Sequence, residues 1–166
     1  MSMTLILSIM MMTGLFLMLL GGVGFIQDKR FFSSAPREVL AVVPESKPER
    51  FAGQHALGWI MIIISLVLMI GAILLGAWDG ISKGLSFWQF FGRFLIMLLL
   101  LKVFDILFFD WFLLCNAGLN FFPHFYPETK KVLGRYMFGY NRKTHLAHIL
   151  LSPVVSAVLA WVCCMI

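Results

Sequence analysis

Apolar residues run almost unbroken through four stretches of the chain, 3–26, 56–78, 87–115 and 146–166. Each meets or exceeds the roughly 20 residues a helix needs to cross a bilayer. A period of two appears nowhere, which excludes an outer-membrane barrel. The pattern predicts an all-α integral membrane protein: a four-transmembrane-helix bundle forming a single membrane domain over 1–166, with two longer cytoplasmic loops. Those loops, 27–55 and 116–145, are expected to hold short interfacial helices. In "SSAPREVLAVVPE", Ser34 is a candidate N-cap, a proline follows near the helix start, and Pro44 is a stop. "PETKKVLGRYMFGYNRK" mixes basic and aromatic residues, as a segment lying on anionic headgroups would.

The basic residues give the spans a direction. The first long loop carries Lys29, Arg30, Arg37, Lys47 and Arg50; the second carries Lys130, Lys131, Arg135, Arg142 and Lys143. The short connection 79–86 has only Lys83. The excess of Lys and Arg on cytoplasmic loops places both long loops inside and both termini outside an inner or plasma membrane. No positive charge precedes the first apolar run, whereas Lys29 and Arg30 follow it, so 3–26 reads as a retained helix rather than a cleaved signal. All five tryptophans fit as interface anchors: Trp59 and Trp111 toward the loops, Trp78, Trp88 and Trp161 toward the termini.

Composition agrees: 61% hydrophobic, 13% charged and a mean hydropathy of +0.94 exclude a water-soluble domain. The net charge of +5 lies between apolar segments, so no nucleic-acid partner is expected. Cys115, Cys163 and Cys164 form neither an even framework nor a Cys-x-x-Cys metal spacing, and the terminal "CCMI" sits inside an apolar run. Ser152, Ser156 and Ala160, and likewise Ala72 and Gly76, recur every four residues, a spacing that lets helices approach closely. Pro153 removes a backbone donor and predicts a kink near Ile149.

The third span is the one with chemistry. It carries Arg93, Lys102, Asp105 and Asp110 among leucines and phenylalanines. Lys102 and Asp105 near its centre cost roughly 5–7 kcal/mol together, against roughly 5–10 kcal/mol returned by the apolar residues between Phe94 and Leu114. It inserts with little to spare. On an α-helical wheel Lys102 and Asp105 are about 60° apart and Asp110 lies about 80° to the other side of Lys102, while Arg93 faces away. Charges at such depth face the bundle interior, a partner or water. A polar pocket or relay is therefore expected from Lys102, Asp105, Asp110, His148 and His145, with His55, His124 and Glu128 near the same surface. Asp110 and His148 are expected to converge, each lying near the loop end of its span.

Each charge also has a structural reading, in which Lys102 and Asp105 neutralise each other at i, i+3. Arg135, Arg142 and Lys143 are candidates for holding an anionic headgroup. No metal is expected, because no fixed-spacing His/carboxylate signature occurs. No motif names a cofactor or fixes a reaction. Three functions compete: a transport-type or oligomeric membrane component with an ion or proton relay; a membrane enzyme acting on a lipid or isoprenoid phosphate at the cytoplasmic surface, with Asp105, Asp110 and His148 as base or metal ligands; and a non-catalytic scaffold. The expected partners are the bilayer and, since four helices make a narrow bundle, further copies or a partner membrane subunit.

Overall fold

The computed structural model describes residues 2–32, 35–114, 121–133 and 141–166, Ser2 by its backbone alone; among them all regular structure is helical. Helix α1 (Ser2–Leu19) continues as a π-helix over Leu20–Ile26. A 3-10 turn (Lys29–Phe32) and the short α2 (Arg37–Val42) follow. Helix α3 covers Gln54–Ser82, and α4 (Phe87–Phe104) continues as a second π-helix, Asp105–Leu114. The short α5 (Phe121–Phe125) and a 3-10 turn (Pro127–Lys131) precede α6 (Arg142–Met165). Among the described residues, three helices are long and apolar enough to cross a membrane: Met3–Ile26, Gln54–Ser82 and Arg142–Met165.

Local sequence accounts for several boundaries. The backbone N–H of Ser86 donates to the Gln89 side chain at 2.9 Å, closing the start of α4 as in a capping box. Pro36 occupies the N-cap position of α2, and Pro44 follows its end, whereas the expected cap Ser34 lies outside the described residues. Helix α6 begins at Arg142, four residues before the expected 146, so Arg142 and Lys143 sit in its first turn rather than in the loop. It runs through Pro153 without a break.

The long helices alternate in direction. α1 packs against α3 and α4, and α6 packs against α4. At the end carrying both termini, Leu7 and Met11 of α1, Ala72 of α3, Phe90, Phe94 and Met97 of α4, and Ala160 and Cys163 of α6 form one apolar cluster. The small residues let these helices close up. Ser152, Ser156 and Ala160 are buried along one stripe of α6, as are Ala72 and Gly76 on α3. Where α1 turns into its π-helix, Gly21 meets Gly58 of α3 backbone to backbone. A Cβ at Gly21 would stand 2.8 Å from the Gly58 carbonyl oxygen, and one at Gly58 would stand 2.9 Å from that of Gly21. Leu, Ile, Val and all five tryptophans make up much of the exposed surface.

At the opposite end the two long loops fold onto each other as a cap. Val23, Phe32, Val39, Val43, Phe109, Leu113, Phe122 and Tyr126 share a second apolar cluster, which joins both π-helices to both loops. The polar ties converge on one carbonyl: Phe125 O accepts from Lys47 Nζ at 3.1 Å, Arg50 Nη2 at 3.2 Å and Gln27 Nε2 at 3.4 Å. Lys47 also pairs with Glu128 at 2.7 Å and stands 4.5 Å above the Tyr126 ring. Burial, the largest single influence, acts to raise the Glu128 pKa, but the hydrogen bond from Lys47, a backbone hydrogen bond and the Lys47 charge together outweigh it and leave the carboxyl below its usual range. Thr129 and Leu133 are buried in this cap, so the described part of "PETKKVLGRYMFGYNRK" is partly docked on the first loop rather than lying free on a surface.

Candidate functional site

The site is built along the groove between α6 and the second half of α4. In lipid, helices associate through packing, and here bulky α4 side chains lie against small residues of α6: Phe94 and Ala160 share the terminal cluster. That contact fixes an antiparallel register. Continuing toward the loops, it places Lys102 and Asp105 opposite Ser152 and His148, and Asp110 opposite His145.

Lys102 Nζ donates to Asp105 Oδ2 at 2.5 Å, with the two side chains 12% and 27% exposed. Both border an open cavity of about 330 Å3 between α1, α4 and α6. Its walls are Leu15, Leu98, Leu101, Leu151 and Val155, its polar floor is Lys102, Asp105 and Ser152, and His148 completes its lining. The Ser152 hydroxyl donates to its own helix, at 2.8 Å from the His148 carbonyl, which leaves its oxygen as an acceptor. His148 is exposed at the rim, with Leu151 and Val155 beside it on the same face of α6.

One turn nearer the loops, His145 Nε2 lies 2.5 Å from Asp110 Oδ2, both side chains being largely buried. His145 Nδ1 is buried with no hydrogen-bond partner among the described residues. Asp105 and Asp110 also border a second, smaller cavity of about 60 Å3, lined otherwise by side chains such as Val23, Phe32, Phe109 and Phe122. The π-register is what aligns them. In an α-helix residues five apart diverge by about 140°, but i→i+5 hydrogen bonding stacks them on one face. Asp105 is thus the shared wall of the two cavities.

The expected convergence of Asp110 with His148 does not occur. Asp110 meets His145, and His148 belongs with Lys102 and Asp105. The earlier start of α6 shifts its register by about one turn, and the π-helix rotates Asp110 into phase with Asp105. Of the other expected neighbours, His55 lies 3.7 Å from Glu49, His124 stacks edge-on to Phe125, and Glu128 is taken by Lys47, all outside this groove. Arg142 and Lys143 are exposed in the first turn of α6; Arg135 lies outside the described residues. Among the described residues no group of three or more His, Cys, Asp or Glu could hold a metal ion.

Asp79 is the residue that sequence reasoning missed. Arg93 does not reach for a surface. Its Nη1 donates to the Gly76 carbonyl at 2.7 Å and lies 2.9 Å from Asp79 Oδ2, while Lys83 takes the other carboxylate oxygen at 2.5 Å. The available signal was the Asp79/Lys83 spacing of i, i+4 just before the tight connection to α4. All four ionisable side chains of Phe87–Leu114 therefore have charged or titratable partners.

No protein-family model, no curated protein and no solved structure matches this chain.

Proposed function

We propose that this is a four-span membrane protein that carries protons between the side of its two long loops and a pocket open to the bilayer. In this reading Phe87–Leu114 also spans the membrane, third in chain order, beside the three long apolar helices. The eight Lys and Arg residues of the long loops and the two in the first turn of α6, against Lys83 alone in the short connection, hold those loops in the cytoplasm and both termini outside. In a cysteine-free variant, a membrane-impermeant thiol reagent added outside is expected to label a cysteine at the exposed Ser82 and miss one at the exposed Glu38. The reverse pattern overturns the orientation and puts the relay on the other side.

The observation that carries the relay is the continuity of titratable groups along one groove: His145 on Asp110, Asp110 and Asp105 on one small cavity, Asp105 on Lys102, and His148 beside them. A carboxylate and an imidazole can each accept and release a proton, and a cavity of about 60 Å3 with two carboxylates on its wall has room for bridging water. The path stops at Lys102. Beyond it Met97, Phe94, Leu7 and Met11 pack without a charged group until Arg93 and Asp79. A dry plug of this kind favours delivery to the side pocket over flow across the membrane.

The full pairing of charges on this span also fits a scaffold with no traffic through it. Proton exchange at Asp105 separates the two. In reconstituted membranes a pH jump on the loop side should change the carboxyl stretch of Asp105, assigned by its loss in Asp105→Asn. Asp110→Asn or His145→Phe should slow that change by about tenfold or more, equivalent to about 1.4 kcal/mol of barrier. Exchange at an unchanged rate in both variants would falsify the relay and leave the scaffold reading.

A further inference from the structure

We infer that the pocket above Lys102 and Asp105 binds the head of one uncharged, hydroxyl-bearing membrane amphiphile per chain, of the long-chain alcohol or monoacylglycerol kind. The inference names the ligand of the pocket on which the relay reading ends, but rests on the pocket alone. Its first support is size. A volume of about 330 Å3 is at the small end of ligand sites, enough for a head and its first carbons but not for a whole acyl chain. The second is where the pocket opens. Leu151 is 53% exposed and Val155 37%, so the rim is continuous with the apolar outer surface of α6, along which a hydrocarbon tail can lie.

Head chemistry follows from the floor. Lys102 and Asp105 neutralise each other, and nothing else on the floor carries a fixed charge. A head with a net charge would have to compete with one partner of that pair for the other, in surroundings where an uncompensated charge is costly. A hydroxyl has no such conflict. The Lys102 ammonium has three donors and gives one to Asp105; the Asp105 carboxylate has acceptor sites left over; Ser152 Oγ, its proton committed to His148 O, can only accept. The floor thus offers donors and acceptors side by side, and a hydroxyl uses both at once. A hydrocarbon tail alone would leave them unmet.

The test uses the whole chain in detergent micelles and three amphiphiles of one chain length: 1-tetradecanol, tetradecanoate and tetradecylamine. Tetradecanol is expected to raise the thermal unfolding midpoint with the logarithm of its concentration, as a ligand of the native state does. Native mass spectrometry should count one molecule per chain. Both effects should vanish in Lys102→Met/Asp105→Leu, which removes the polar floor without leaving a lone charge, and in Leu151→Trp, which fills the rim. Asp110→Asn should keep full binding, so a failed relay with intact binding is recognisable as such. An equal or larger shift with either charged amphiphile, or a tetradecanol shift that survives in the double variant, overturns the inference. Absence of any shift does so too.

Discussion

Gly58→Ala will destabilise the protein by about 2–3 kcal/mol, while Gly71→Ala, thirteen residues further along the same helix, will leave it unchanged or stabilise it by up to about 1 kcal/mol. The two substitutions add the same methyl group to α3. At Gly58 that methyl would stand 2.9 Å from the Gly21 carbonyl oxygen, 3.0 Å from the Ile26 nitrogen and 2.6 Å from Ile26 Cγ1. Two of those three are backbone atoms of the π-helix that ends α1, and backbone can yield only by moving a helix. At Gly71 the nearest atom is the terminal methyl of Met10 at 3.3 Å, the free end of a flexible side chain. Crowding therefore opposes helix propensity at Gly58 and barely opposes it at Gly71. The loss matters because stability of a small protein totals only about 5–15 kcal/mol. Reversible unfolding of both variants in detergent measures the difference. Equal midpoints for Gly58→Ala and Gly71→Ala would mean that α1 and α3 do not cross where they are drawn together here.

That crossing illustrates what the chain discloses on reading and what it withholds. The helical class and the approximate limits of the apolar segments follow from runs of about twenty apolar residues, since a lipid-facing helix has to be apolar over its length. The stripes of Ser152, Ser156 and Ala160 and of Ala72 and Gly76 are equally legible, because close packing needs small residues at a fixed spacing, and all five are buried. Lys102 and Asp105 were legible as a pair for the same local reason, three residues apart on one helix.

What could not be read is anything that depends on helix register. A wheel drawn at 100° per residue puts Asp110 on a different side from Asp105, and only the i→i+5 bonding of Asp105–Leu114 brings them to one cavity. No residue type announces a π-helix in advance. The choice of His145 over His148 as partner of Asp110 hangs on where α6 starts, a boundary that sequence fixes only to within a few residues. Gly21 meets the α3 backbone at Gly58 and Gly22 packs under the Phe31 ring, contacts that no local pattern around these glycines signals. The loop cap lay further out of reach. Phe125 O gathers donors from Gln27, Lys47 and Arg50, residues 75 to 98 positions away in the chain, and no local pattern encodes a contact of that range.

Lys102→Met will cost about 3–5 kcal/mol, and Lys102→Met/Asp105→Leu will recover most of it. The reasoning is that of a buried ion pair. Removing one partner leaves the other charge desolvated and uncompensated, whereas replacing both by apolar side chains of similar size removes the desolvation penalty along with the attraction. Here Lys102 is 12% exposed and Asp105 27%, the latter on the cavity side, so the single-substitution cost falls toward the lower end of that range. Asp105→Leu alone should also be destabilising, since Lys102 is then left with no carboxylate. The pair of single variants and the double variant form a thermodynamic cycle, and the expected interaction energy is about 3 kcal/mol, the upper end for a contacting pair. Lys83→Met supplies the contrast. Lys83 also pairs with a carboxylate at 2.5 Å, but it is 58% exposed and Asp79 keeps Arg93, so its loss should cost less than about 1 kcal/mol. Unfolding midpoints of the four variants, measured in the same micelles, are sufficient. If Lys102→Met, Asp105→Leu and the double variant prove equally stable, the pair faces water or lipid rather than the groove between α4 and α6, and neither the relay nor the pocket ligand can be built on it.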